Sequence, residues 1–137
     1  MSARTKARKR ALDMLFQADL REIEIPQVIE AEARRAAQEP DRMGSWLYAR
    51  EITDGVHDHG EEIDALIVKY AEGWSLERMP HVDRALLRLA SWEILYNDEV
   101  PAAVAITEAV LLAQEYSTDD SSRFINGVLG NIATHAE

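Results

Sequence analysis

The sequence contains no cysteine among its 137 residues. Disulfide bonds, thiol nucleophiles and cysteine-ligated zinc or iron–sulfur sites are therefore excluded. The absence also fits a reducing compartment. No stretch approaches about eighteen consecutive apolar residues, and polar residues interrupt the segment after the basic start at Asp13, Gln17, Asp19 and Arg21. We therefore expect neither a membrane span nor a signal peptide, and we predict a cytoplasmic protein.

Alternating strand patterns are also missing, and apolar residues recur instead at spacings of three and four. The pattern predicts about seven helices joined by short loops, an all-α fold, with the first helix running from Lys6 to about Glu22. The bend at Gly73–Pro80 divides a single domain into two small helical-bundle lobes, about 1–73 and about 74–137. The segment HVDRALLRLASWEILYN is apolar over much of its circumference and is predicted to be central.

Local signals give further expectations about the helix ends. Gly60 is expected to end the third helix in the left-handed conformation. Ser117 or Thr118 is expected to cap the last helix. Gly127 and Gly130 are expected to lie within that helix, where a neighbouring element approaches closely.

Signals for catalysis or metal binding are scarce. The sequence has no G-x-S-x-G, no phosphate-cradling glycine loop and no dinucleotide fingerprint. His57 and His59 are two residues apart and would point to different sides of a helix, whereas His81 beside Asp83 suits a polar cap. We predict no enzymatic activity, no cofactor and no metal site. The tryptophans lie at helical spacing from other apolar residues and are expected in the core: Trp46, Trp74 and Trp92.

Positive charge is concentrated at the start of an acidic chain. The chain carries 15 Lys and Arg against 25 Asp and Glu, a net charge of −10. The first ten residues contain no carboxylate and hold a basic head of five side chains: Arg4, Lys6, Arg8, Lys9 and Arg10. On a helix these charges would cover the first two turns, at the end where the macrodipole disfavours cations. We interpret the basic head as a contact for a phosphate backbone, with a flexible solubilising tail as the alternative.

Two segments resemble a known family. RKRALDMLFQADL near the start and DEVPAAVAITEAVLLAQEYSTDDSSRFINGVLG near the end resemble the NusB family of transcription antitermination factors. The C-terminal segment is the specific one, because it combines VP before a helix, the EAVLLA helix, the STDDS loop and the FINGVL run. The resemblance spans essentially the full length and implies an all-helical fold of two perpendicular lobes.

The resemblance also implies a function and partners. Family members bind the boxA element of nascent ribosomal RNA leader transcripts together with a ribosomal protein, NusE. That pair joins NusA, NusG and RNA polymerase in a complex that resists premature termination. Some relatives self-associate through the surface that binds RNA, and the sequence leaves monomer and homodimer open.

The resemblance further implies the site residues. RNA contacts would come from the basic head and from a second patch at the start of the last helix: Asp120, Arg123 and Phe124. Phe16 falls where some relatives carry a tyrosine near the RNA, but it also lies on the apolar stripe. Stacking on RNA and packing in the core are therefore both open for Phe16, and also for Phe124. Glu77 and Asp83 align with acidic positions that face the ribosomal protein in relatives.

Two other interpretations fit parts of the pattern. The chain could be a helical protein-interaction scaffold that does not bind RNA and carries a solubilising basic tail. A NusB-like domain also forms the N-terminal part of certain ribosomal RNA cytosine methyltransferases. Those enzymes need a nucleophilic cysteine, which these 137 residues lack, so we do not expect methyl transfer.

Overall fold

Seven α-helices and two short 3-10 turns form the computed structural model, which describes residues 2–137. The helices are α1 (Ala3–Leu20), α2 (Ile25–Ala37), α3 (Met43–Asp58), α4 (Gly60–Tyr70), α5 (His81–Tyr96), α6 (Ala102–Tyr116) and α7 (Asp119–Ala136). The 3-10 turns, Pro40–Arg42 and Leu76–Arg78, precede α3 and α5. No strand occurs in residues 2–137, and the predicted all-α fold of about seven helices is confirmed. None of these helices is both long and apolar enough to cross a membrane.

Short polar side chains set the ends of the two helices that carry the predicted site. The Oγ of Ser2 accepts the backbone N–H of Thr5 at 3.0 Å, so α1 begins at Ala3, earlier than the predicted Lys6. The whole basic head is therefore helical. Thr118, one of the two predicted caps, accepts the backbone N–H of Ser121 at 3.0 Å and starts α7.

Helix α5 lies at the centre of the molecule, as predicted. It contacts α1, α3, α4, α6 and α7. Its side chains Leu86, Leu87 and Leu89 are at most 1% exposed. The buried core runs without a break from α1 to α7, so the two predicted lobes share it.

The joint between α4 and α5 turns through two residues in the left-handed region. Glu72 has a φ of 48° and Gly73 a φ of 93°, and glycine adopts such values without steric cost. Trp74 follows directly. Gly60, by contrast, begins α4 and has no positive φ, so the prediction that it ends the third helix in the left-handed region was wrong.

Close packing against a glycine occurs in α3 rather than in α7. A Cβ built on Gly55 would overlap the indole of Trp92. Gly127 and Gly130 are helical, as predicted, but a Cβ on either would meet nothing within 4 Å. The predicted close approach at these two positions was therefore wrong, because no neighbouring helix lies over that side of α7.

Candidate nucleic-acid interface

The basic head divides into exposed and buried side chains. Lys6 is exposed and makes no ion pair within residues 2–137. Arg4 Nη2 lies 2.9 Å from the exposed carboxylate of Glu99, and Lys9 Nζ lies 3.3 Å from Glu115. Exposed ion pairs of this kind contribute little in water, about 0.2–1 kcal/mol each. Arg4, Lys6 and Lys9 thus remain available to an anion that can replace those carboxylates.

Arg10 lies at the edge of a groove between α1 and the start of α3. Its Nη1 donates to the carbonyl of Arg42 and to the Oγ of Ser45, both at 3.1 Å. Its guanidinium lies 5.8 Å from the centroid of the Trp46 ring, a cation–π distance. The groove has a volume of about 550 Å³, and Lys6, Arg10 and Arg42 contribute its basic side chains. Arg42 therefore extends the basic surface beyond the first ten residues.

Arg8 is a core residue. It is 2% exposed, and its Nε and Nη2 donate to both carboxylate oxygens of Glu93, which is fully buried, at 2.9–3.1 Å. Glu93 also accepts a hydrogen bond from Tyr48, whose hydroxyl accepts one from Asn97 at 2.9 Å. Arg8 was predicted among the RNA contacts. In the structure it joins α1 to α5 instead, because a paired guanidinium can be buried where an unpaired one cannot.

The buried network fixes the protonation state of its members. Burial alone would lower the pKa of Arg8, but the hydrogen bonds and the charge of Glu93 outweigh it and raise that pKa above its ordinary value. Burial, together with the hydrogen bond to Glu93, also raises the pKa of the Tyr48 phenol. The guanidinium therefore stays charged, and the phenol keeps the proton that it donates.

An acidic row, Glu99, Glu108 and Glu115, runs beside the basic head. Glu108 accepts a hydrogen bond from the hydroxyl of Thr5 at 2.9 Å and lies 3.3 Å from Arg8 Nη1. The two outer members pair with basic side chains of the head. These carboxylates already pair with cations of the head, so any anion that binds those cations must compete with them.

Phe16 lies in a groove between the basic head and the start of α5. It is half-buried, and its ring meets His81 edge-on with the centroids 6.1 Å apart. The groove has a volume of about 470 Å³, and Lys9, Val82 and the exposed Tyr116 also line it. One part of the Phe16 ring is thus packed, while another part faces a groove with a cation at its rim.

The second predicted patch forms one exposed turn of α7. Asp120 and Arg123 make an exposed ion pair within the helix. Phe124 is half-buried, and its ring meets Trp74 edge-on with the centroids 6.4 Å apart. A groove of about 370 Å³ contains Asp120, Phe124 and Trp74 and reaches Asp83, the residue after Val82. The grooves at Phe16 and Phe124 therefore both reach the first turn of α5.

The two residues predicted to face a protein partner differ in exposure. Glu77 is exposed on the 3-10 turn before α5. Asp83 is 3% exposed, and its carboxylate accepts a hydrogen bond from the hydroxyl of Ser117 at 2.8 Å. Asp83 therefore adds no open charge to an acidic face; it joins α5 to the loop between α6 and α7.

A polar cluster fixes the other end of α1. Asp19 Oδ2 lies 2.9 Å from His81 Nδ1 and accepts a hydrogen bond from Arg84 Nε at 2.7 Å. Burial would raise the pKa of Asp19, but its hydrogen bonds to His81 and Arg84 outweigh it and hold that pKa below its ordinary value. His81 thus pairs with Asp19 across helices rather than with Asp83, the neighbour suggested by sequence. No three His, Asp or Glu side chains within residues 2–137 are placed to hold a metal ion.

One exposed aromatic residue, Trp74, was not expected from the sequence. Trp46 and Trp92 are 4% and 6% exposed, as expected of core residues, but Trp74 is 54% exposed. Its position immediately after Gly73, in a short loop, was the available signal. The prediction that all three tryptophans lie in the core was therefore wrong for Trp74.

Comparison with known proteins gives consistent results. The NusB family model matches residues 5–134. A transcription antitermination protein NusB from Leifsonia xyli subsp. xyli is 62% identical over 133 residues, which cover 97% of this chain and 92% of that protein. The structure of T. maritima NusB matches with a TM-score of 0.84 at 33% identity, covering 98% of this chain and 92% of that one.

A second solved structure contains two further molecules. It is a crystal structure of the antitermination factors NusB and NusE in complex with dsRNA, and it matches with a TM-score of 0.81 at 27% identity over 98% of both chains. Sequence and fold thus agree over nearly the full length. The chain belongs to the NusB family.

Proposed function

We propose that this chain is a transcription antitermination factor that binds the boxA element of nascent ribosomal RNA together with the ribosomal protein NusE. Membership of the NusB family confirms the resemblance seen in the sequence and the prediction that the chain is not an enzyme. The observation that carries the proposal is the exposed basic surface of α1 on a chain of net charge −10. In such a chain, a concentrated positive surface is the place where a phosphate backbone can bind.

The contacts divide into two kinds. Arg4, Lys6, Lys9 and Arg10 supply salt-dependent attraction to phosphates. The second patch, Asp120, Arg123 and Phe124, supplies the contacts that distinguish one RNA from another, since stacking and base-edge contacts carry specificity in single strands. Phe16 lies between them, and its groove offers an aromatic face beside Lys9. Arg8 acts through the fold by holding α1 in place.

The excess of acidic over basic residues in the chain favours a basic protein partner. Ribosomal proteins that bind RNA are typically basic, and Glu77 offers an exposed carboxylate on the turn before α5. Asp83 supports that surface by holding the loop after α6, through Ser117. The related NusB–NusE structure supports a protein partner of this kind. In the cell, the complex would include NusA, NusG and RNA polymerase, sustain polymerase processivity during ribosomal RNA synthesis, and act in the cytoplasm.

A titration of labelled boxA RNA tests this proposal. We expect the chain to bind the RNA, more tightly with NusE than without it, and less tightly when the boxA sequence is scrambled. A helical scaffold with a solubilising tail would leave the RNA unbound in every case. Sedimentation of the same samples reports whether the chain forms a homodimer. If the dimer forms through the surface that binds RNA, it must dissociate when RNA binds.

A further inference from the structure

The joint between α4 and α5 holds a tryptophan in solvent. Trp74 is 54% exposed, although an indole is among the side chains that gain most from burial. The two preceding residues, Glu72 and Gly73, both have positive φ, which turns the chain so that Trp74 comes to lie beside Phe124 of α7. A glutamate seldom adopts that conformation. The local backbone is thus held in an unfavourable geometry while the indole stays largely in water.

The aromatic pair Trp74–Phe124 is shared by two grooves. One is the groove of about 370 Å³ described above, which also contains Arg78. The other has a volume of about 290 Å³, and its polar and aromatic lining includes Tyr70, Arg123 and Asn131. A planar group can therefore approach the aromatic pair from either side, and each groove contains a guanidinium.

Gly127 keeps the second groove open. It lies one turn after Phe124 in α7 and lines the groove, and a Cβ built on it would meet nothing within 4 Å. Glycine weakens a helix interior, and here no contact within the chain requires it. Packing within the chain therefore does not explain the glycine at this position in the groove.

We propose that Trp74, Phe124 and Gly127 form a subsite that takes one unpaired nucleobase of the bound RNA, stacked on Trp74. The inference rests on the proposed function and extends it to residues outside the two predicted patches. Every nucleobase has a face that stacks on an indole. The amide of Asn131 offers both a donor and an acceptor to a base edge. Arg123 can exchange its exposed partner Asp120 for a phosphate.

Continuity with the second patch favours a base over a protein side chain as the occupant. The grooves contain all three residues of the second patch, Asp120, Arg123 and Phe124. Carboxylates also line both grooves, Glu72 in one and Asp83 and Asp120 in the other. The guanidinium in each groove, Arg123 or Arg78, is therefore the group that can bind the phosphate of a stacked nucleotide. A protein anchor at Trp74 is the competing outcome in the experiment below.

A double-mutant cycle between protein and RNA tests the subsite. Trp74→Ala and Trp74→Phe are titrated with a single-stranded boxA RNA and with a series in which each nucleotide in turn lacks its base. We expect Trp74→Ala to weaken binding about tenfold, as stacked bases typically do, and Trp74→Phe to retain most of the affinity. At one nucleotide position, removal of the base should weaken binding to the wild type about tenfold as well. The same removal should not weaken binding to the Trp74→Ala variant any further.

If the wild type binds the RNA, but the loss of affinity from Trp74→Ala adds to the loss from base removal at every nucleotide, the subsite is overturned. The proposed function would remain intact. A Trp74→Ala variant that weakens binding to NusE in the absence of RNA while RNA affinity is unchanged would also overturn the subsite. Failure of the wild type to bind the RNA would overturn both. Circular dichroism of each variant establishes that the helices are retained.

Two further readouts use features of this chain. Trp74 is the exposed tryptophan of the three, so iodide quenching of fluorescence reports on it, and bound RNA should protect it. Gly127→Leu should fill the groove and weaken RNA binding, while Gly130→Leu, on the same helix but outside both grooves, should not. Unprotected fluorescence in the RNA complex, or equal losses in the two glycine variants, would count against the subsite.

Discussion

Arg8 of α1 and Glu93 of α5 form a bidentate ion pair that is almost completely buried. The pair joins the helix that carries the basic head to the central helix. Arg8 thereby differs from Arg4 and Lys9, whose carboxylate partners are exposed. A deletion of the first ten residues would remove this core contact together with the charges, so single substitutions are the better test of RNA binding.

Removal of either member of this pair should destabilise the protein. Arg8→Met leaves the buried Glu93 without its cation, and Glu93→Leu leaves Arg8 with only the partly exposed Glu108 at 3.3 Å. Loss of a partner from a buried ion pair typically costs about 3–5 kcal/mol. We expect urea denaturation to show this loss in each single variant and a smaller loss in the double variant, which buries no charge. Single variants as stable as the wild type would show that the pair is open in solution.

Substitutions in the acidic row should strengthen RNA binding. Glu99→Gln and Glu115→Gln release Arg4 and Lys9 from carboxylates that would compete with the phosphates of a bound RNA. We expect the double variant to bind boxA RNA several-fold more tightly at low salt, with a log–log salt slope steeper by roughly one unit.

The control for that prediction is Asp54→Asn. It makes the same kind of charge change and releases Arg50 from an exposed ion pair in α3, outside the basic head. If Asp54→Asn raised the RNA affinity as much per removed carboxylate, the change in overall charge would explain the tighter binding. Competition between carboxylates and phosphates at the basic head would then not be needed.

The glycines of the structure should respond differently to alanine. In Gly55→Ala the new methyl group overlaps the indole of Trp92, and overpacking of this kind typically costs about 1–3 kcal/mol. Gly130→Ala meets no neighbouring atom and should stabilise α7 by up to about 1 kcal/mol. Thermal unfolding of both variants measures the difference. A destabilised Gly130→Ala variant would indicate a contact that the structure does not contain.

The cluster at Asp19 predicts a dependence of stability on pH. The pKa of Asp19 is lowered in the folded state, so its contribution is present above the unfolded pKa of about 3.9 and is lost as the pH falls through the folded value. Asp19→Asn should therefore cost about 2 kcal/mol at pH 7, typical for a hydrogen bond to a charged group. The cost should shrink toward pH 2. If the stability difference between the wild type and Asp19→Asn did not depend on pH, the lowered pKa of Asp19 would be contradicted.

Local and distant interactions explain which features could be predicted from the sequence. Helix periods and caps depend on residues within a few positions, so the seven helices and the cap at Thr118 were predictable. The burial of Arg8 depends on Glu93, 85 positions away. The position of Arg8 four residues before Leu12 places it on the apolar side of α1, but nothing nearby in the sequence indicates its partner. Gly55 and Gly127 pose the same difficulty, because only the packed fold shows which glycine has a neighbour.

The site was predictable to a similar extent. The motif near Phe124 and the charges of the basic head were visible in the sequence. Trp74 was not recognised, because its spacing from other apolar residues was given more weight than its position in the loop after Gly73. Arg42 joined the basic surface only once the fold brought the start of α3 beside Arg10.

The salt dependence of RNA binding tests the central proposal most directly. A triple variant, Arg4→Gln, Lys6→Gln and Lys9→Gln, removes exposed cations and leaves Arg8 in place. A control triple, Arg34→Gln, Arg35→Gln and Arg50→Gln, removes the same charge from exposed positions on α2 and α3. We predict that the slope of log affinity against log salt falls by about two units in the first variant and little in the control. An unchanged slope in the first variant, or an equal fall in both, would contradict RNA binding at the basic head.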